Sequence, residues 1–357
     1  MSDAVEKLSP PGLMLGVLIN MHSRRNRKRP PDLAGLRAGG AHVEAPADEA
    51  DVEPALRRMA AAGVDLVAVH GGDGTVLSAL TAILCQNAFP QPPILALLPG
   101  GTTNMTAADI GFAGQPATLA RVAEIAANGG GRLLQREALL LENAASADGA
   151  APPQAGMFFG AIGICRAIAF CRRHLHARGV VGGPAAWLTL GPLLLKAMTS
   201  DKPDGVLAGA AARLTVRQAD GAAETLDGPW SVLMASSLRK LALGSRPFWG
   251  EGASGHGVDV TCVRAPPFRL WRMIWPLLFG KPGKRPPEPH YVSRRAGTIE
   301  IAYTGAVTLD GEMYAANAAT PGTHVEFTMV VTIQGMRLER RTRWSACEAL
   351  AVAMKDH

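Results

Sequence analysis

The stretch Val64–Leu80, VDLVAVHGGDGTVLSAL, decides the fold of this chain. It joins an apolar, β-rich run to a helical pattern through the glycine-rich loop HGGDGT at His70–Thr75. Glycines let the backbone approach a ligand closely, and the N–H groups at the start of a helix attract anions. The stretch therefore predicts a phosphate-binding loop after a buried strand. The alternative interpretation is an ordinary tight turn in which Asp73 is the acceptor.

Short β-rich runs and helical patterns alternate around this stretch, from Leu13 to Leu98. Alternation of this kind builds a parallel sheet, and ligands bind beyond the carboxyl ends of its strands. A second glycine loop, PGGTTN at Pro99–Asn104, follows the next strand, so we expect both loops to face one ligand. Later in the chain, short strand candidates separated by turns predict an antiparallel β-sandwich. The terminal Trp344–Lys355 has the pattern of an amphipathic helix that packs back onto the first domain.

Composition indicates a globular protein of about two domains. The chain has 357 residues, of which 48% are hydrophobic and 18% charged, and this length suits about two domains. Its five scattered cysteines, without a CxxC motif, indicate neither a disulfide framework nor a zinc site. The net charge of +6 permits attraction to nucleic acid, anionic lipid or polyphosphate and does not choose among them.

No apolar run reaches the roughly 20 residues of a membrane span, and the first residues lack the pattern of a secretory signal. We therefore expect a cytoplasmic protein.

Three motifs stand in register along the chain. They are HGGDGTVLSAL at 70–80, LLPGGTTNMTA at 97–107 and VTLDGE at 307–312. In this order and spacing the chain resembles the diacylglycerol kinase catalytic-domain family, in particular its bacterial soluble lipid kinases, which are related to sphingosine and ceramide kinases. The resemblance runs from Leu13 to about Arg340. It implies an α/β nucleotide-binding domain at 1–131 and 336–357, and a β-sandwich lipid-substrate domain at 132–335, with the nucleotide between them.

The resemblance also implies the site residues. Phosphorylation of a hydroxyl requires a base that takes its proton and a cation that neutralises the phosphates. Carboxylates can act as the base or bind the cation. Glu312 occupies the position of the family's proton acceptor. Asp310 is its partner, which either binds the metal or orients Glu312. Asp73 lies beside the phosphates, so its carboxylate must face a cation such as Mg²⁺ or accept backbone N–H bonds. The residues that the resemblance assigns to ATP are Asn20, Gly71, Gly72, Asp73, Gly74, Thr75 and Thr102.

The chain departs from the family pattern at several positions. Met105 replaces an acidic residue of the second loop, and Asp109 is the candidate substitute. His256 replaces an aspartate that binds a structural Mg²⁺ in the family, and imidazole is a poor ligand for this cation, so that metal position is predicted to be altered or absent. The first loop, Asn20–Arg24, lacks the family's proline and glycine. The basic run behind it either compensates by charge or is a solvated loop.

The segment Phe268–Arg285, FRLWRMIWPLLFGKPGKR, mixes aromatic and basic residues. Trp271, Trp275 and Phe279 fall on one helical face, which Pro276 interrupts. The segment is either a core helix with a basic tail or a peripheral contact with an anionic membrane surface. The expected partners are a membrane lipid substrate and no nucleic acid, and a homodimer is compatible with the sequence.

These observations predict a lipid kinase that uses Mg²⁺ and, as co-substrate, ATP. Its acceptor is a hydroxyl of diacylglycerol or of a sphingoid or ceramide-like lipid. A small-molecule kinase similar to NAD kinases is the enzyme alternative, because those enzymes share the GGDGT element. A nucleotide- or lipid-binding regulator with weak turnover is the other alternative, suggested by Met105 and His256.

Overall fold

The computed structural model describes residues 5–7, 12–110, 118–129, 132–142, 145–146, 149–150, 152–178, 205–218, 221–241, 244–250, 257–279, 286–314, 328–333 and 350–353. His256 and the apolar segment Pro184–Met198 lie outside them. Two sheets, one mainly parallel and one antiparallel, organise the described residues.

The elements of the first part of the chain alternate between strands and helices. They are β1 (Val5–Lys7), β2 (Leu15–Ile19), α1 (Arg24–Lys28), α2 (Leu33–Ala38), β3 (His42–Glu44), α3 (Val52–Ala61), β4 (Leu66–Gly71), α4 (Asp73–Leu84), β5 (Ile94–Pro99), α5 (Met105–Ile110), α6 (Leu119–Asn128) and β6 (Arg132–Gln135).

The elements of the second part are mostly strands. They are β7 (Leu139–Glu142), β8 (Ala145–Ser146), β9 (Gly149–Ala150), β10 (Gln154–Gly156), β11 (Phe158–Ile162), α7 (Gly163–Arg178), β12 (Ala210–Arg217), β13 (Ala223–Ser236), β14 (Val258–Arg264), α8 (Leu270–Phe279), β15 (Tyr291–Ala296), β16 (Thr298–Tyr303), β17 (Val307–Leu309), β18 (Glu312–Tyr314), β19 (Thr328–Ile333) and β20 (Leu350–Ala353).

The first sheet has the order β1-β6-β20-β5-β4-β2-β3. Strands β3, β2, β4 and β5 are parallel neighbours. Strands β2 and β4 are buried almost throughout, as expected for a parallel sheet that helices cover on both faces. Helices α3 and α4 pack on one face and α6 on the other. The predicted α/β architecture is confirmed.

The end of the chain differs from the sequence prediction. Leu350–Ala353 forms strand β20, where Trp344–Lys355 was expected to be helical. Strand β20 inserts between β5, to which it is parallel, and β6, to which it is antiparallel. The local run LAVA is apolar throughout, a composition typical of strands inside a covered sheet. Tertiary pairing therefore overrides the helical periodicity of the flanking residues.

The second sheet is antiparallel and has the order β10-β7-β19-β16-β12-β13-β11-β17-β18, with β14 joined to β13 and β15 to β14. Four strands separate β7 from β14 along this path. Nevertheless, the Gly257 amide before β14 donates to the carboxylate of Glu137 before β7 (2.5 Å). The sheet therefore curls until distant strands meet, and one apolar cluster that includes Phe159 and Trp230 fills the space between them. The predicted antiparallel sandwich is confirmed.

No helix in the described part of the chain has the length and apolar character needed to span a bilayer. Helix α8, the counterpart of the predicted aromatic segment, runs through Pro276 without a break.

Candidate functional site

Three loops meet at the carboxyl edge of the first sheet, because β2, β4 and β5 are parallel and adjacent. The backbone N–H of Asn20 donates to His70 O (3.1 Å), and the backbone N–H of Gly100 donates to Gly71 O (2.7 Å). The Arg25 amide in α1 donates to Gly100 O (2.9 Å), and its guanidinium donates to Pro99 O (3.3 Å). The basic run after Asn20 is therefore a short helix that is bonded to the second glycine loop.

Close backbone contact between the two glycine loops explains their composition. A Cβ atom added to Gly101 would lie 2.6 Å from the Cα of Gly72, and one added to Gly100 would lie 3.0 Å from the Cα of Gly71. Real Cβ atoms essentially never come within 3.0 Å of another heavy atom. Gly100 and Gly101 thus let the two loops lie against each other. A Cβ added to Gly74 would instead meet the carboxylate of Glu312, at 3.5 Å.

Asn20 and Thr75, predicted from separate motifs, are in direct contact. Asn20 Nδ2 donates to Thr75 Oγ1 (3.0 Å), which leaves the Thr75 hydroxyl proton available to another acceptor. Asn26, which the sequence reasoning missed, is fully buried behind them. Its Nδ2 donates to Asn20 O (2.9 Å) and to His70 O (3.1 Å), and so fixes the first loop to the first glycine motif.

Asp73 begins helix α4 and faces the start of α5. Its Oδ1 accepts the backbone N–H of Thr106 (3.2 Å), so the structure supports the interpretation in which this carboxylate accepts backbone N–H bonds. Burial raises the pKa of Asp73, and N–H groups of residues 104–106 act in the opposite direction. The proposed metal role of Asp73 stays a prediction.

Asp310 is buried and connects two turns of the second sheet. Its Oδ1 accepts the N–H of Met157 (3.1 Å) and of Phe158 (2.8 Å). Burial raises the pKa of Asp310 to about 7, and the charge of nearby Asp73 adds to the rise. The carboxylate therefore fixes the turn between β17 and β18 against the start of β11.

Glu312 lies two residues beyond Asp310 and faces outward over Gly74, with its side chain 55% exposed. Between them, Gly311 has a φ of +94°, which favours glycine and turns the two carboxylates to different sides. Arg172 of α7 contacts this turn: its Nη2 donates to Gly311 O (2.8 Å) and lies 3.6 Å from Glu312 Oε2. The predicted base therefore stands at the beginning of α4, paired with a cation.

Further acidic groups surround this position. Glu49, in the loop before α3, accepts the hydroxyl of Ser78 (2.9 Å). Burial, together with the charges of Glu49, Glu312 and Asp310, raises the pKa of Tyr314 to about 12. Carboxylates from the loop before α3 and from the turn between β17 and β18 therefore act on the same tyrosine.

The remaining predicted residues lie at or around the loops. Thr102 is exposed in the second loop. Asn104 stabilises that loop, because its Oδ1 accepts a hydrogen bond from the backbone N–H of Gly101 (2.7 Å). Asp109 does not face the glycine loops. Its carboxylate accepts hydrogen bonds from the backbone N–H groups of Arg239 (3.0 Å) and Lys240 (2.9 Å). Its suggested substitution for the acid lost at Met105 is therefore not supported by its contacts.

The metal predictions meet a mixed result. No group of three or more His, Cys, Asp or Glu side chains in the described residues could hold a metal ion. Mg²⁺, however, often takes only one or two carboxylates and completes its shell with water and substrate phosphates. Asp73 and Asp310 are close enough to interact and fit that requirement. Asp259, three residues after His256 in the sequence, forms an ion pair with Arg295 (3.4 Å). This ion pair does not favour the binding of a metal cation by Asp259.

Sequence reasoning missed Asn26, Asn104 and Arg172. Asn26 lies in the basic run and Asn104 in the quoted second loop, so both had a positional signal. Arg172 had none, because its partners are 139 and 140 positions away in the chain and only the fold unites them.

Comparison with known proteins identifies one matching domain model and solved structures of similar fold. Residues 17–131 match the model of the diacylglycerol kinase catalytic domain. A solved structure of a diacylglycerol kinase from Bacillus anthracis str. Sterne is 16% identical, covers 91% of this chain and 96% of its own, and has a TM-score of 0.58. A second one, at 16% identity, covers 91% and 95% with a TM-score of 0.56. No curated protein sequence matches the chain. The chain therefore carries, at residues 17–131, a region that matches the diacylglycerol kinase catalytic domain.

Proposed function

We propose that this protein transfers the γ-phosphoryl group of ATP to a hydroxyl of a membrane lipid, either diacylglycerol or a sphingoid or ceramide-like lipid. The observation that carries the proposal is the position of Glu312, whose Oε1 lies 3.5 Å from where a Cβ on Gly74 would be. An exposed carboxylate thus stands directly at the N-terminus of the helix that follows the phosphate loop. The supporting comparison is the match to the catalytic domain.

The reaction assigns one role to each group. Glu312 takes the proton from the lipid hydroxyl, and the hydroxyl oxygen forms a bond to the γ-phosphorus while the bond from that phosphorus to the β–γ bridging oxygen breaks. ADP leaves with the bonding electrons. Arg172, whose Nη2 lies 3.6 Å from Glu312 Oε2, keeps the carboxylate in position and adds positive charge beside the transferred group.

The phosphates of ATP are bound by the amides at the beginning of α4. Helix α4 is 12 residues long, so its N-terminal N–H groups present a partial positive charge to an anion. The Thr75 hydroxyl, oriented by Asn20, is available to a phosphate oxygen. Asp73 and Asp310 would hold Mg²⁺ against the phosphates, and the bound cation would neutralise part of their charge.

The test combines purified protein, Mg²⁺, ATP labelled at the γ-phosphorus, and single lipids in detergent micelles. We expect a labelled lipid phosphate with diacylglycerol, sphingosine or ceramide as acceptor. ATP binding without any labelled lipid would refute the lipid-kinase proposal and favour a regulator. NADP formation from NAD in the same preparation would favour the small-molecule kinase instead.

A further inference from the structure

Helix α8 and the residue pair before it expose an unusual set of aromatic side chains. The side chains of Phe268, Trp271, Trp275 and Phe279 are 38%, 49%, 69% and 44% exposed. The described residues contain five exposed large hydrophobic side chains, and the fifth is Met14 in the first domain. Exposed apolar groups that cluster in this way mark an interaction surface.

The packing of α8 separates this surface from the core. At about 100° per residue, Trp271, Trp275 and Phe279 span about 80° of the helix, while Met273 and Leu277 lie on the opposite side. Met273 and the buried Leu277 belong to the cluster built on Val263 and Tyr291. The core interpretation of the sequence therefore holds for one face only, and on the other face Trp271, Trp275 and Phe279 remain exposed to solvent.

The aromatic face is rigidly mounted. The Arg246 amide donates to Leu278 O (2.7 Å) near the end of the helix, and Tyr291 Oη donates to Phe268 O (2.8 Å) before its start. The two tryptophans therefore lie on a helix that hydrogen bonds hold in place at both of its ends. A partner would meet a preformed surface, so little ordering entropy would oppose binding.

The charge around α8 has one sign. No acidic residue occurs between Val260 and Pro287, while Arg272 on the helix and Arg269 just before it are exposed. Lys281, Lys284 and Arg285 follow in the sequence, outside the described residues. The first acid after the helix, Glu288, is paired with Arg294 (2.6 Å).

We propose that Phe268, Arg269, Trp271, Arg272, Trp275 and Phe279, together called the α8 surface, dock the protein on an anionic lipid bilayer. Tryptophan and phenylalanine side chains enter the boundary between headgroups and acyl chains, and arginines bind the lipid phosphates. A second copy of this chain would bring the same arginines together, so the charge favours the bilayer as occupant. The inference goes beyond the proposed reaction, on which it rests only for the location of the acceptor.

The experiment measures sedimentation of the full-length protein with vesicles in the absence of ATP. One set of vesicles contains equal amounts of phosphatidylcholine and phosphatidylglycerol, and the other contains phosphatidylcholine alone. The variants are Trp271→Gln with Trp275→Gln, and Arg269→Gln with Arg272→Gln. The matched control is Met14→Gln, which removes an exposed apolar side chain from the other domain. Circular dichroism verifies that each variant is folded.

We expect the wild-type protein and Met14→Gln to bind the anionic vesicles equally. The tryptophan variant should bind roughly tenfold or more weakly, and the arginine variant should lose about fivefold per charge. Wild-type binding by the folded tryptophan variant would overturn the proposal, as would equal binding to both kinds of vesicle. A dimer that the tryptophan substitutions dissociate, without vesicle binding, would overturn it in favour of a second copy.

The two proposals fail in different ways. Vesicle binding needs no turnover, so an inactive protein that binds anionic vesicles through α8 would refute only the lipid-kinase reaction. If the kinase is active, the tryptophan variant should lose turnover on vesicles and retain it on a water-soluble short-chain acceptor. Equal loss on both acceptors would show that α8 supports the active site, and would overturn the docking role.

Discussion

The contact between the two glycine loops makes Gly101→Ala the most informative single substitution. The added methyl carbon would lie 2.6 Å from the Cα of Gly72, whereas ordinary contact begins at 3.4 Å. The obstructing atom belongs to the backbone, so no side chain can rotate away. The loops must therefore separate by about 0.8 Å, and the side-chain oxygen Oδ1 of Asn104, 3.2 Å from the new atom, limits movement the other way.

The expected loss is mainly functional. Misplacing reacting groups by about 1 Å costs on the order of 10²-fold in rate, so kcat/KM for ATP should fall by roughly 30- to 100-fold. Overpacking costs about 1–3 kcal/mol of stability, partly offset by about 0.4–1 kcal/mol from the less flexible unfolded chain. The protein should therefore stay folded, with a slightly lower denaturation midpoint.

The assay compares Gly101→Ala with Gly39→Ala by lipid phosphorylation, calorimetric ATP binding and urea denaturation. Gly39 lies at the end of α2, where the nearest atoms to an added Cβ are carbonyl oxygens at 3.4 Å. The control should retain wild-type kinetics. A Gly101→Ala protein with kcat/KM and ATP affinity within about twofold of wild type would refute the idea that loop contact shapes the nucleotide site.

Three further substitutions separate the roles of the carboxylates. Glu312→Gln should lower kcat by roughly 10²–10⁴-fold with little change in ATP affinity, as measured by calorimetry, and normal turnover would remove Glu312 from the mechanism. Arg172→Met should lower kcat without changing the denaturation midpoint, because its side chain is half exposed, and Arg172→Lys should restore part of the loss; equal rates for all three proteins would contradict its positioning role. The raised pKa of Asp310 means that the folded state binds a proton more tightly than the unfolded state, so stability should fall as pH rises from about 4 to about 7. Urea denaturation across this range should show the fall in the wild-type protein and a smaller fall in Asp310→Asn.

The parallel domain was predictable because its signals are local. The run LVAVHG and the glycines after it specify a buried strand, a tight turn and a helix without reference to the rest of the chain. The end of the chain was not predictable in the same way. Leu350–Ala353 becomes a strand because β5 and β6 leave a position between them, and that vacancy exists only in the assembled sheet.

The site divides in a similar manner. The strand-end motifs predicted that Asn20 and Thr75 lie at one edge of the sheet, and the two residues are in contact. The resemblance predicted that Glu312 lies at the phosphate loop, and its carboxylate lies next to Gly74. The hydrogen-bond partners of the carboxylates could not be read from the sequence. Asp73 accepts a hydrogen bond from the backbone N–H of Thr106 in α5. Asp109, a candidate for the missing acid at Met105, accepts hydrogen bonds from the backbone N–H groups of residues 239 and 240.

The motif Asp310-Gly311-Glu312 illustrates why two adjacent carboxylates need not share a task. With φ values of +50° at Asp310 and +94° at Gly311, the backbone turns one carboxylate inward and leaves the other exposed. The inward group binds the amides that begin β11, and α7, which carries Arg172, follows β11 directly. One buried acid therefore connects the turn that carries the proposed base, Glu312, to the strand that leads into the helix of Arg172. A change at Asp310 should therefore disturb the geometry of Glu312 and Arg172 together, although neither of these residues is altered.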